Sequence, residues 1–488
     1  MHTLLIASIL TAHAAVATAD IRYQITVPDT LDRLDATVCM QNWIPDRLVS
    51  RLDEARGFLV GASRHSGDLR VDAGRGQIRL SNASAGDCLR YTVDLAAAIE
   101  AQSGDERIIL HQEGNVLMSS GVWLWRPDHV PEGAGVILQF DLPEGMQVSV
   151  PWQRVTDATS APTFRLDRSP IEWRDLTAIG YFESRNVDVA GASLRVAVLD
   201  AETPASVSAM DEWIREAAGA VSTLYGRFPL SQPQVLVVPI GMRSEAVPWA
   251  QVLRGGGAAA HFFVDQHRPL SEFREDWTAT HELSHMLLPY VGRRDAWLSE
   301  GLASYYQNVL RARADMINEE LAWQKLYAGF GRGRRDSGDK SLAEVSRNMG
   351  ASGGYMRVYW SGAAIVLMAD VELRRRSGGQ MSLDTAMEQL ATCCLPGDRT
   401  WSAREVFSRL DDITDSDVFM SLYREHVDSR KFPDISATSR QLGITERGGK
   451  LHLSSAGTAR ALRAAIMSRP KTFTNTSPEK PPAANAAP

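Results

Sequence analysis

Two imidazoles and a carboxylate fall within five residues of this sequence: His281-Glu282-Leu283-Ser284-His285. On a helix, side chains four apart lie over one another on one face, so both rings can reach a single ion. Leu283, Met286 and Leu287 give the segment an apolar flank, and Pro289 ends it. Two nitrogens leave a tetrahedral zinc short of ligands. A catalytic site adds a third protein donor and keeps one position open. Glu300, in Trp297-Leu298-Ser299-Glu300-Gly301, is the candidate third donor. The fourteen residues between His285 and Glu300 accommodate a helix end, a turn through Val291-Gly292-Arg293-Arg294-Asp295 and a second helix start. One zinc ion there would lower the pKa of water and polarise a peptide carbonyl. Glu282, beside a ligand, would take the proton and pass it to a leaving amine. The competing reading is two ordinary histidines with a solvated glutamate. Glu300, on a second amphipathic helix start at a suitable distance, weighs against it.

The elements that must position these groups are legible by period. Residues 208–228 repeat apolar side chains at Met210, Trp213, Ile214 and Ala217, a helical stripe. Residues 234–240 read as a buried strand and 261–265 as another. Residues 362–379 read as a helix ending in Arg374, Arg375, Arg376 and a glycine pair, cations and glycine suiting a helix C-terminus. Ser341-x-x-Glu344 and Ser402-x-x-Glu405 are capping boxes, so helices start there and the last third is mainly helical. Upstream, residues 20–203 show short alternating runs separated by Gly, Asp, Asn and Pro, the signature of a β-sandwich-like module. Trp123 and Trp125, two apart, would share one face of a strand, as core or as the wall of a cleft.

The whole chain bounds the possibilities. Its 488 residues exceed one ordinary core, and 44% hydrophobic with 23% charged residues is a globular composition. A net charge of −7 offers no basic face for nucleic acid. Residues 1–19 have an apolar centre and a small-x-small end at Ala17-Thr18-Ala19, so we expect an export signal and a periplasmic or secreted product. No stretch reaches the length of a membrane span. In such a compartment Cys39 and Cys88 are expected to pair; Cys393 and Cys394 are either a vicinal disulfide or two thiols. Residues 471–488 are too poor in large apolar groups to fold and are expected to be a disordered tail.

The segments "HELSH" and "WLSEGLASYY" resemble the gluzincin metallopeptidases, which carry HExxH and then a glutamate in a W-L-x-E-G segment. Residues 356–390 resemble the helix pair of the glycyl-aminopeptidase family, and the aminopeptidase N family has a related Tyr-x-x-Gly-Ala segment. The resemblance covers about 205–430. It implies an α+β chain: the β-rich domain 20–203, a mixed α/β thermolysin-like catalytic domain 204–330, and a helical continuation 331–470. It implies zinc held by His281, His285 and Glu300, with Glu282 as general base. Tyr359, in Tyr359-Trp360-Ser361-Gly362-Ala363, matches the tyrosine that stabilises the oxyanion. The residues alone allow a packed core tyrosine there, with Tyr305, Tyr306 and Tyr355 also available. Ser304, one turn after Glu300, either orients a ligand or is a plain helix serine.

The sequence also departs from these families. Their aminopeptidases hold the substrate's free amine with a glutamate on a glycine-rich sheet edge. The matching stretch here reads as residues 255–263, with Ala260 in the glutamate's place. The gap to Glu300 is shortened, and residues 432–470 are too few for the PDZ module that often follows. The expectation is an exported zinc peptidase acting on peptides or proteins. The alternatives are an aminopeptidase with another amine anchor, or a non-catalytic zinc-bearing peptide-binding protein.

Overall fold

The computed structural model describes residues 20–469 except 65–66, 69–70, 73–75, 81–82, 102–107, 113, 156–159 and 200–203. The expected export signal and the expected tail lie outside the described residues. The chain forms two compact units.

Among the described residues, the first unit takes in 20–108, 120–144 and 153–168. Ile21–Thr26 and Arg33–Met40 bury every second residue, the pattern of strands with one face on a core. They pair antiparallel, and Ile21–Thr26 also runs parallel to Val136–Asp141 within an eight-stranded sheet. Cys39 and Cys88, directly opposite on neighbouring strands, are disulfide-bonded. Trp123 and Trp125 are both fully buried. They follow a 3-10 turn, Ser120–Val122, and are not in a strand; Trp123 packs edge-on to Phe140. The Tyr23 hydroxyl donates to the Trp125 carbonyl at 2.9 Å. Both tryptophans are core, and the cleft-wall alternative falls away.

The second unit holds a five-stranded sheet: β1 (Glu183–Val189), β2 (Ala192–Val198), β3 (Gln234–Pro239), β4 (Trp249–Leu253) and β5 (Ala259–Val264). Their order is β1-β2-β3-β5-β4, with β2, β3 and β5 parallel and β4 antiparallel at the edge. β3 and β5 are buried along their whole length, because both sheet faces are covered. One face carries Val196, Val235, Val237, Ala260 and Phe262, packed in one cluster with helix α1 (Pro204–Ser222) and its Met210, Trp213, Ile214 and Ala217 stripe. The other carries Leu236, Val238 and Phe263, against Leu117, Leu176 and Ala178 of a four-stranded sheet. That sheet and β1–β2 therefore fold with the second unit, although they precede residue 204.

The remaining core is helical: α2 (Thr278–Ser284), continued by a 3-10 turn His285–Leu287, then α3 (Ala296–Arg313), α4 (Tyr355–Arg376) and α5 (Leu383–Cys394). α3 and α4 cross at Gly301 and Gly362. A Cβ on Gly362 would collide with the Trp297 carbonyl, and one on Gly301 with the Gly362 backbone. Only hydrogen at both positions lets the helices approach this closely.

Buried ion pairs lock these helices together. Asp370 accepts from Tyr305 at 2.8 Å and Arg374 at 2.9 Å, and Asp384 accepts from Tyr306 at 3.1 Å and Arg313 at 2.7 Å. Arg374 is thus a core partner and not simply a cation at a helix end, while Arg375 and Arg376 pair with Glu372 on the surface. Capping boxes stand at Ser341 and Ser402, with a third at Ser382 closed by Thr385. Cys393 and Cys394 are bonded to each other at the end of α5. Among the described residues no helix is long and apolar enough to cross a membrane.

Candidate metal centre

α2 supplies the two histidines and α3 the glutamate. The turn that joins them is tied down by the backbone of residue 401: Trp401 N–H donates to the Tyr290 carbonyl and Gly292 N–H to the Trp401 carbonyl. His281 Nε2 lies 3.2 Å and His285 Nε2 3.5 Å from Glu300 Oε2. One donor atom each of His281, Glu282 and His285 also falls within 4.8 Å of the others. Four side chains from two helices therefore meet at one place.

The donor set fits a zinc ion. Two ring nitrogens and one carboxylate oxygen are the kinds of atom zinc takes, and three protein donors leave a position open. The orientation of His281 is fixed from behind. Its Nδ1–H donates to Gln307 Oε1 at 2.7 Å in a buried hydrogen bond, so the neutral ring keeps its Nε2 lone pair on the side of Glu300. The ring also sits edge-on to Trp277 and stacks near Tyr359, centroids 5.8 Å apart.

Electrostatics divides the two carboxylates. Burial raises the Glu282 carboxyl above its ordinary value; His285 and His281 oppose this without cancelling it. Glu300 is buried too, but His285 and His281 outweigh burial and hold it well below the usual carboxylate range. Burial, reinforced by Glu300 and Glu282, holds the Tyr359 hydroxyl well above the ordinary phenol value, so it stays a hydrogen-bond donor.

These groups line a cleft of about 730 Å³. Its walls include Ala250 to Arg254 of and after β4, the aromatic pair Trp173–Tyr290, and Tyr359. Arg254 crosses from the end of β4 to the end of α2, where its Nη2 donates to the carbonyls of His285 at 2.7 Å and Leu288 at 3.3 Å.

The structure brings His281, Glu282, His285, Glu300 and Tyr359 together and corrects the sheet-edge expectation. Residues 255–257 are the turn into β5, and β5 is an interior strand. Ala260 is fully buried against the helices, so it cannot occupy an amine-binding position in a cleft. The edge strand that lines the cleft is β4, Trp249-Ala250-Gln251-Val252-Leu253, and it carries no carboxylate.

Two residues at the site escaped sequence reasoning. Gln307, not Ser304, holds His281; it lies two turns beyond Glu300 on the same helix face, and that spacing was the available signal. Arg254 left no such signal, since its partners are carbonyls more than thirty residues away.

No family model matches the sequence, and no curated protein matches it. Solved structures do share the fold. An aminopeptidase N family protein from Idiomarina loihiensis superposes with a TM-score of 0.61 at 14% identity, covering 87% of this chain and 78% of that one. An M1 zinc metallopeptidase from Deinococcus radiodurans gives 0.51 at 15% identity, covering 85% and 94%. Yeast LTA4 hydrolase gives 0.54 at 10% identity, covering 87% and 70%.

Proposed function

We propose that this chain is an exported, zinc-dependent metallopeptidase that hydrolyses peptide bonds. The observation that carries the reading is the convergence of His281, His285 and Glu300 with Glu282 in a cleft that Tyr359 also lines. The fold shared with a structure described as an M1 zinc metallopeptidase, and with one described as an aminopeptidase N family protein, supports it. Export is supported by the Cys39–Cys88 and Cys393–Cys394 bonds, which persist in oxidising compartments.

His281, His285 and Glu300 would hold one zinc ion, which when bound acidifies water and polarises the scissile carbonyl. Glu282 is the general base. Its raised pKa suits a group that accepts a proton from water and then delivers it to the departing amine. Tyr359 donates a hydrogen bond from its hydroxyl to the carbonyl oxygen as negative charge collects there. Gln307 keeps His281 in the tautomer that presents Nε2.

β4 offers an extended edge along which a peptide can add as a strand. With no carboxylate on that strand, cleavage within a chain or of amino-blocked peptides is the reading we favour. Glu172, in the cleft wall, is the one observation favouring an aminopeptidase with a different amine anchor.

The test is hydrolysis of matched amino-blocked and unblocked peptides by the zinc-loaded protein, with and without chelator, beside Glu282→Gln. Chelator-sensitive cleavage that disappears in Glu282→Gln is expected. Zinc binding with no cleavage of any peptide, unchanged by the substitution, would make the chain a zinc-bearing binding protein instead.

A further inference from the structure

Outside the groups assigned to catalysis, the cleft is lined by Arg174, Arg254, Arg293 and Arg347 against Glu172 alone. A peptidase cleft made to hold a free amine would show the opposite balance. Of these cations Arg254 reaches the end of α2, its Nη2 2.7 Å from the backbone carbonyl of His285. It shares a face of the sheet edge with Ala250 and Val252, both apolar and both packed against the helical core, so its neighbours there offer no charge.

Arg254 is half-buried, yet among the described residues no carboxylate pairs with it. Its only hydrogen-bond acceptors there are the carbonyls of His285 and Leu288, and both take the same nitrogen, Nη2. Nε and Nη1 donate to no acceptor among the described residues. A guanidinium keeps its charge at neutral pH. A desolvated cation without a counter-ion is unfavourable, and a guanidinium with two uncommitted N–H directions matches the two oxygens of a carboxylate. Bracing the end of α2 occupies Nη2 alone.

Resting on the peptidase reading, we propose that Arg254 recognises a carboxylate of the substrate, so that the cleft selects peptides bearing negative charge close to the scissile bond. The carboxylate comes either from an acidic side chain next to that bond or from a free C-terminus one or two residues beyond it.

The experiment uses the full zinc-loaded chain and short peptides in matched sets: Glu or Gln at each position flanking the bond, each with a free or an amidated C-terminus. kcat/KM is measured for wild type and Arg254→Met, with zinc content determined for both. Calorimetric binding of the same peptides to Glu282→Gln gives a readout independent of turnover. We expect wild type to favour the anionic member of a pair by about tenfold or more, the worth of a charged hydrogen bond. In Arg254→Met that ratio should collapse toward unity. A preference that follows Glu regardless of amidation assigns the side chain as the source, and one that vanishes on amidation assigns the terminus.

Equal cleavage of both members by wild type overturns the inference and leaves the peptidase reading intact. A preference that survives in Arg254→Met overturns it too. Should Arg254→Met fail to fold, the wild-type ratio together with Arg254→Lys, which keeps the charge and loses the fork, decides. Selective binding of anionic peptides with no cleavage would sink the peptidase reading while upholding recognition by Arg254.

Discussion

Replacing Gln307 by leucine isolates one buried hydrogen bond that the zinc reading depends on. The Gln307 Oε1 atom is the acceptor for His281 Nδ1–H at 2.7 Å, and His281 is only 2% exposed, so water cannot take its place. Two outcomes are open to the imidazole. Nδ1–H can stay buried without an acceptor, at a cost of about 1–3 kcal/mol. Alternatively, the proton moves to Nε2 and blocks the lone pair that would hold the metal. Losing such a partner typically weakens metal binding about 10–100-fold, or about 1.4–2.8 kcal/mol, which overlaps the first figure. The assay is competition for zinc between the protein and a chromophoric chelator at neutral pH, with metal-free thermal stability measured separately. Gln307→Glu retains an acceptor and adds basicity to the ring, so it should bind zinc at least as tightly as wild type. Folded Gln307→Leu with undiminished affinity would show that His281 is not held for a metal, and the reasoning from tautomer to ligand would fail.

Tyr359→Phe should lower kcat by about 10²–10³-fold with KM little changed, as loss of an oxyanion donor does; full turnover in steady-state assays would return Tyr359 to the status of a packing residue. Gly362→Ala drives a methyl into the Trp297 carbonyl, and overpacking of this kind costs about 1–3 kcal/mol, read as a lower denaturation midpoint. An unshifted midpoint would mean that the α3–α4 crossing relaxes freely. His261, buried in β5 beside Gln234, is held down to about 3, first by burial and then by Arg174. Because its folded pKa lies below the ordinary 6.5, the unfolded chain binds the extra proton. Its contribution is complete above that value and is lost as pH falls toward the folded pKa. Between about pH 6.5 and pH 5 urea titrations should show a loss of up to about 2 kcal/mol from this residue. His261→Gln should flatten that slope; an identical slope would refute the assignment.

What the sequence determined by itself is local. His281 and His285 share a face because they are four apart on a helix, and Ser341 and Ser402 start helices because the hydroxyl and a glutamate three residues on each accept the other's backbone N–H. Buried strands at 234–239 and 259–264 show as runs of apolar residues for a similarly local reason. The tertiary structure decided which strand is the edge. β4 and β5 are both short and apolar, and nothing within either says that β5 lies inside and leaves Ala260 in the core. It also decided that Gly301 and Gly362 meet, drawing α3 and α4 close enough for Tyr359 to sit near Glu300 and His281. Arg254 reaches the carbonyls of His285 and Leu288, and Arg374 reaches Asp384, only because separate elements are folded against each other. Such partners are set by where whole helices and strands come to rest, and no periodicity along the chain encodes that position.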